Sequence, residues 1–501
     1  MKKINPVLAH LLPRSRDFIF AGILFFLVVF GGPKLFNNDG DLGRHIAIGN
    51  YILAEGVIPT SDIFSHTMYG QRLVPHEWLA QIAFALAHRA MGLSGDVYIA
   101  ALLAAVPILL VYDELIKRGV MRLAAFLVTM WAGIVASVHW LARPHMFTFL
   151  FVTLWVYWLE GVFSGRLKNI WRFPLLMLIW ANTHGAFIAG FVVWGVYLAD
   201  WLWEFWQGRG EKETGKRLAF IGIVSLLVTF INPSGWHLWG TSVGYIGNDY
   251  LTSHTVEYLS PNFHIKYLWP FMFMIAFGLF SLAQDYRIHL RDGLLLAGWT
   301  MLALYSVRNL PLFAVITAPI FGTMIHAWAQ KLPVLDSLNS RFSETEELLR
   351  GNLWVYVIAL VLGLLLWRGT PLDEKGTGNV YLPDKMPVQA VDWLFENKQE
   401  GNMFNNFIWG GYILYRMWPS ERVFIDGQTD FYGEDLLREY LDTMYVKEGW
   451  EATLDKYKVS WIIARMDDPL SKELRRVEDD AWYVIYEDDI AVIFRRDIAR
   501  P

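Results

Sequence analysis

The sequence predicts a polytopic α-helical membrane protein with a soluble α/β domain at its C-terminal end. Three observations carry this. First, 54% of the 501 residues are hydrophobic and only 18% charged, against about 45–50% and 25% in soluble domains. Second, apolar runs long enough for a hydrocarbon core of about 30 Å recur through the first 370 residues, about eleven in number. Third, charge is sorted: up to residue 370 there are 27 Lys+Arg against 22 Asp+Glu, and from 371 onward 16 against 26. The domains are therefore drawn as 1–370, membrane-embedded, and 371–501, acidic and soluble.

Composition also excludes classes of function. The absence of cysteine removes disulfides, thiolate metal sites and a cysteine nucleophile. No basic stretch interleaved with aromatics offers a nucleic-acid surface, and the acidic tail would repel a phosphate backbone. The 24 Trp, 22 Tyr and 33 Phe suit aromatic belts at two membrane interfaces.

The expected spans are 17–36, 96–116, 121–141, 144–163, 172–182, 185–205, 218–232, 267–284, 293–306, 309–329 and 353–367. The pair 172–182 and 185–205 scarcely exceeds one long tilted helix, so the positive-inside rule arbitrates. With the N-terminus cytoplasmic and the pair counted as two, 19 of the 27 basic residues before 371 fall on cytoplasmic segments. An odd number of crossings then puts the tail outside. Lys2, Lys3, Arg14 and Arg16 precede the first run as in a signal peptide, but no small-x-small cleavage site follows, and an uncleaved first helix is expected.

Ionisable residues at membrane depth are costly and tend to be functional. The unusual polar groups gather at the outer ends: Asn38-Asp39-Gly40-Asp41 with Arg44 and His45, His76-Glu77-Trp78, Arg143-Pro144-His145, Asn182-Thr183-His184-Gly185, Asn232-Pro233-Ser234-Gly235, Glu257-Tyr258 and Arg308-Asn309. A transporter or flippase of lipid-linked saccharides would place such groups near the midplane instead. The first outer loop, 37–94, carries two amphipathic patterns, Leu42, Ile46 and Leu53 after Asp41, and Trp78, Ile82 and Leu86 after His76. Both predict short helices lying along the outer interface. In the tail, Val388–Glu396 and Leu436–Tyr445 read as helices, and Val459–Ile463, Trp482–Tyr486 and Ile490–Phe494 as strands, the last two a hairpin.

A short cytoplasmic N-terminus, one span, a carboxylate-bearing outer loop with two interfacial helices, many further spans and a terminal outer domain together resemble the GT-C superfamily of membrane glycosyltransferases. The stretch Gly40-Asp41-Leu42-Gly43-Arg44-His45-Ile46-Ala47 is similar to the catalytic segment of aminoarabinose transferases and protein mannosyltransferases. With the other outer clusters, the pattern looks like a bacterial branch of that superfamily and covers nearly the whole chain. The tail lacks a Trp-Trp-Asp-type motif, which argues against an oligosaccharyltransferase role. The resemblance implies inverting transfer of a sugar from a polyprenyl-phosphate-linked donor to a lipid, glycan or protein acceptor, at the outer face of the cytoplasmic membrane. A non-catalytic envelope scaffold of the same fold is the bland rival.

Such transfer needs a carboxylate to orient and deprotonate the acceptor, and cationic or hydrogen-bonding groups for the departing phosphate. Asp41 is the first candidate for base and Asp39 the second, although a turn and helix cap would also select them. Arg44, Arg143, Arg308, His145 and His184 are candidates for the donor phosphate, since Arg grips oxyanions in a fork; snorkelling to headgroups is the alternative for each Arg. His45, His76, Glu77 and Glu257 are candidates for the substrate pocket. Some members of the superfamily use divalent ions, and Asp39, Asp41 and Glu77 would hold one here, though no ligand spacing demands it. Asn405-Asn406, Trp409-Gly410-Gly411-Tyr412 and Asp426-Gly427 with Asp430 suit contact with sugar or acceptor, but a folded domain capping the pocket with ordinary turns is the favoured reading.

Overall fold

The computed structural model describes residues 6–284, 286–349, 351, 353–476 and 481–496; Lys2 and Lys3 lie outside the described residues. The chain divides into two compact units: Met1–Phe30, Tyr98–Ile231 and Thr255–Pro371 form one, and Gly31–Val97, Asn232–His254 and Leu372–Pro501 the other.

Among the described residues seven helical segments are long and apolar enough to cross a membrane: Leu8–Leu35, Leu93–Lys117, Arg122–His139, His145–Phe163, Gly185–Trp206, Lys266–Ala283 and Val307–Ala329. They fall on seven of the expected spans. The other four lie on shorter helices, Arg172–Ala181, Lys212–Val228, Leu290–Tyr305 and Trp354–Leu365. The expected break within 172–205 is present: one helix ends at Ala181, and the next regular helix begins at Ile188. That second helix packs against Lys212–Val228, with Trp194 and Trp201 lying over Gly222 and Gly215, where a Cβ would collide with either indole.

The helical unit also holds a polar cluster that sequence reading did not place. Glu160, near the end of the His145–Phe163 helix, accepts the Tyr197 hydroxyl (2.5 Å) and pairs with Arg291 (3.2 Å) and Arg118 (3.3 Å). Arg118 and Arg166 both approach Glu114, at 3.5 and 3.1 Å, and Arg291 lies over the rings of Phe163 and Tyr197. Glu114, Glu160 and Asp200 are all buried. Glu160 lies about 22 Å along its helix from His145 at 1.5 Å per residue, so polar groups mark both ends of this unit's helices, not one.

In the other unit the first loop and the tail fold together. The loop's two expected helices are Asp41–Glu55 and Trp78–Met91. Leu42 and Ile46 of the first are buried as the pattern predicts. The second turns Ala80, Phe84 and Ala87 inward and leaves Leu86 51% exposed; its Trp78-Ile82-Leu86 stripe is thus the outward one. Ser65 bridges to Val423, His66 N–H donates to Val423 O (3.0 Å), and Thr67 Oγ1 donates to Phe424 O (2.6 Å). Buried Asp96 accepts from His88 Nδ1 (2.7 Å), which leaves Nε2 to accept the Tyr415 hydroxyl (3.1 Å).

The tail carries a four-stranded sheet of order β1-β2-β4-β3: β1 Asn402–Asn405, β2 Val459–Arg465, β3 Trp482–Glu487 and β4 Ala491–Arg496. β1 runs parallel to β2 and the other pairs are antiparallel. The three expected strands are present; β1 is too short and polar to announce itself in sequence. Phe404, Phe424, Tyr440, Ile462 and Phe494 share a core with Leu251 of the middle segment.

A buried carboxylate serving two guanidinium groups cannot lose its charge cheaply: removing one partner of a buried pair costs about 3–5 kcal/mol. Glu160→Gln is therefore expected to lower the thermal midpoint of the detergent-purified protein by several degrees, and Arg118→Met in the same chain to return part of the loss. An unchanged midpoint for Glu160→Gln would show that the cluster does not hold these helices.

Candidate functional site

The first cluster is built on the start of the Asp41–Glu55 helix. Asp39 Oδ1 accepts the Asp41 backbone N–H (3.1 Å), so the turn-forming role falls to Asp39, while Asp41 opens the first helical turn. The Asp41 carboxylate lies over Gly427, where a Cβ would overlap it. Gly40 meets the Ile408 carbonyl, in the turn before the Gly410–Met417 helix, and Gly43 the Gly411 carbonyl within it, again leaving no room for a side chain. These three close contacts bring the tail onto the helix that carries the candidate base.

Arg44, only 4% exposed, sits three residues beyond Asp41 and is gripped from two directions. Its Nη1 donates to Gln428 Oε1 (2.7 Å) and its Nη2 to Glu77 Oε2 (3.2 Å), while Nε lies 3.8 Å from Asp426 Oδ1. Glu77, just before the Trp78–Met91 helix, also faces His45 and His76, each at 3.9 Å, and His76 Nδ1 is 3.8 Å from Asp430. Asp426 further accepts the Gln428 N–H (2.9 Å) and the Tyr432 hydroxyl (3.2 Å).

Burial tends to lower the Arg44 pKa, but Asp426, Glu77, Asp41 and Asp430 together hold it above the usual guanidinium value. Asp426 goes the other way. Its burial pushes the carboxyl up to about 6, against the opposing pull of Arg44 and the Gln428 N–H and with the added push of Asp41 and Asp62. A hard divalent ion needs several oxygens converging at about 2.0–2.6 Å. Among the described residues no group of three or more His, Asp or Glu side chains is so disposed, and the centre of the carboxylates is taken by Arg44. The expected Asp39, Asp41 and Glu77 set does not fit a metal in this arrangement.

The second cluster belongs to the helical unit. Arg143 Nη1 donates to Glu257 Oε1 (2.6 Å), and His139 Nε2 lies 3.7 Å from the other oxygen. Burial disfavours the Glu257 anion, yet Arg143, with His139 and Arg308, outweighs it and holds the carboxyl below the usual range. Arg308 donates to the Tyr258 hydroxyl (2.6 Å) and meets His184 Nε2 at 3.2 Å. Arg308 has only donors, so that nitrogen accepts, and His184 Nδ1–H donates to Thr148 Oγ1 (2.9 Å); Ala186 N, 3.4 Å from Nδ1, lies beyond a bond of normal length. His145 Nε2 faces the His139 carbonyl (3.0 Å), their rings 4.5 Å apart. Arg143 thus meets a carboxylate, and Arg308 a hydroxyl and an imidazole.

No protein-family model and no curated protein matches the chain. Solved structures do. The apo oligosaccharyltransferase of Archaeoglobus fulgidus aligns over 97% of this chain and 74% of its own, with a TM-score of 0.61 and 13% identity. The same organism's oligosaccharyltransferase AglB, in complex with an inhibitory peptide and a dolichol-phosphate, gives the same values. The chain has the GT-C fold. At this identity the likeness speaks for architecture alone.

Within this GT-C fold the sequence-derived candidates fall into two sets. Asp39, Asp41, Arg44, His45, His76 and Glu77 gather in the first cluster, and Arg143, His145, His184, Glu257 and Arg308 in the second. Arg44 turns its fork to Glu77 and Gln428, where the sequence reading had given it to a phosphate. Asp426 and Asp430, for which ordinary turns are the favoured sequence reading, line the first cluster. Gln428 and His139 were missed. The only sequence signal for the former was an apolar triplet, Val423-Phe424-Ile425, running into Asp-Gly-Gln.

Two outcomes follow. Gly427→Ala should put a Cβ into the Asp41 carboxylate and lower the thermal midpoint by a few degrees; an unchanged midpoint would separate Asp41 from Gly427. Asp426 binds its proton more tightly in the folded protein than in the unfolded chain. The resulting stability, at most roughly 3 kcal/mol, is fully present below about pH 4 and lost as pH rises through about 6. Asp426→Asn should flatten this fall in thermal scans from pH 4 to 7; an unchanged profile would refute the assignment.

Proposed function

We propose that this chain is an inverting glycosyltransferase that moves a sugar from a polyprenyl-phosphate-linked donor to an acceptor at the outer face of the cytoplasmic membrane. The observation that carries the reading is the first cluster: in a GT-C fold, a carboxylate on the first helix after the first span lies among Glu77, Asp426 and Asp430 around one buried guanidinium. In the reading, Asp41 accepts the proton of the acceptor's hydroxyl or amine as the new bond to the sugar carbon forms and the bond to the lipid phosphate breaks. Arg143 and Arg308, with His145 and His184, would stabilise the phosphate left behind. His45, His76 and Glu257 complete the polar lining of the two clusters.

In the first long span no charged residue or histidine occurs from Phe18 to Pro33, and the middle turns of the other six are likewise free of them. This favours a transferase over a transporter, which needs polar groups at the midplane. The reading completes the membrane domain with the four shorter helices, giving eleven crossings, a cytoplasmic N-terminus and an external tail; cysteine labelling of Lys331 and Glu451 positions in sealed vesicles is expected to modify the second only.

With the protein in vesicles containing polyprenyl-phosphate sugars, Asp41→Asn should reduce transfer by at least about 100-fold at normal yield of folded protein. Arg308→Ala should chiefly weaken donor use, seen as a higher KM for the lipid. Retained full activity in Asp41→Asn would exclude it as the base.

A further inference from the structure

We infer that Arg44 takes the place of a divalent cation at the first cluster, so that its guanidinium supplies the positive charge the carboxylates require. This deepens the proposed transferase reading and rests on it.

Asp41, Glu77, Asp426 and Asp430 come from three separate stretches of chain, and like-charged carboxylates do not gather in a buried place unless a cation holds them. A bound metal is the usual solution, because its charge and oxygen-seeking chemistry draw several carboxylates to one point. Here the gathering point is a side chain. Arg44 directs Nη1 to Gln428, Nη2 to Glu77 and Nε toward Asp426, and Asp41 and Asp430 are close enough to raise its pKa. A guanidinium is planar and spreads its donors in a fixed fork. The carboxylates are accordingly fanned around it, and no three acidic or histidine groups among the described residues converge as ligands. A divalent ion among the same oxygens would be repelled at short range by a neighbour that cannot give up its proton.

The consequence concerns metal affinity as well as rate. With Arg44 present a fixed cation offsets part of the acidic charge and holds the central place; without it, four acidic side chains are left around the vacated position and should recruit a cation. The test is Mn2+ titration of the full-length protein in nanodiscs, followed by electron paramagnetic resonance and calorimetry, with no sugar transfer required. Wild type is expected to bind no stoichiometric Mn2+ below about 1 mM. Arg44→Ala should gain one Mn2+ per chain at an affinity at least tenfold stronger, and Arg44→Ala with Glu77→Gln should lose it again. Stoichiometric Mn2+ on wild type, weakened by Glu77→Gln or Asp426→Asn, would overturn the inference. So would a folded Arg44→Ala that gains no Mn2+, since the carboxylates would then need no cation. If Arg44→Ala does not fold, the wild-type titration decides alone. Failure of the transferase reading shows separately, as retained transfer in Asp41→Asn.

Discussion

A guanidinium that is taken out of water must find its anions at close range, and Arg44 is the place where this chain meets that demand. Its nearest partners do not come from its own helix: they are Glu77 from the end of the loop and Asp426 and Gln428 from the tail. Leaving a buried cation unpaired costs several kcal/mol, so the tail has to close onto the loop for Arg44 to be buried at all. The glycines follow from the same requirement. Gly40, Gly43, Gly411 and Gly427 stand where the two backbones, or a backbone and the Asp41 carboxylate, come within contact that no side chain would permit. The bridge of Ser65 to Val423 and the hydrogen bonds from His66 and Thr67 complete the seam.

The helical unit solves the charge problem in another way. Its long spans keep charged residues and histidines out of their middle turns, and those outside them form two kinds of cluster. Around Glu160 the pairing is dense: Arg118 and Arg291 converge on one carboxylate and Glu114 binds Arg118 and Arg166. Around Arg143 and Arg308 the guanidinium groups also meet polar groups that are not carboxylates, among them the Tyr258 hydroxyl and the His184 ring, which is itself bonded to Thr148.

Much of this was legible in the residues. Periodicity marked the helices at Asp41–Glu55 and Trp78–Met91, alternation marked three of four strands, and the outer polar motifs turned out to supply most of both clusters. What periodicity could not settle was direction. Trp78, Ile82 and Leu86 form an apolar stripe, but a stripe faces either protein or lipid, and here Ala80, Phe84 and Ala87 take the interior. Nor could it find β1, whose pairing with β2 is decided by a partner more than fifty residues away. Nor did it mark Glu160, whose partners Arg118, Tyr197 and Arg291 come from other parts of the chain.

The sequence by itself determined that this chain is a membrane-embedded helical body with an acidic folded tail, and that its chemistry rests on Asp, Glu, His and Arg, since composition and local pattern fix solvent and secondary structure. Only the tertiary structure decided how those residues are shared out. It gave Arg44 to the carboxylates, joined Arg143 to Glu257 and Arg308 to Tyr258 and His184, and brought Asp426, Gln428 and Asp430 from the tail to the first helix of the loop. The reason is physical: a charged side chain's role depends on which opposite charges lie within a few ångströms, and that is set by contacts between segments hundreds of residues apart.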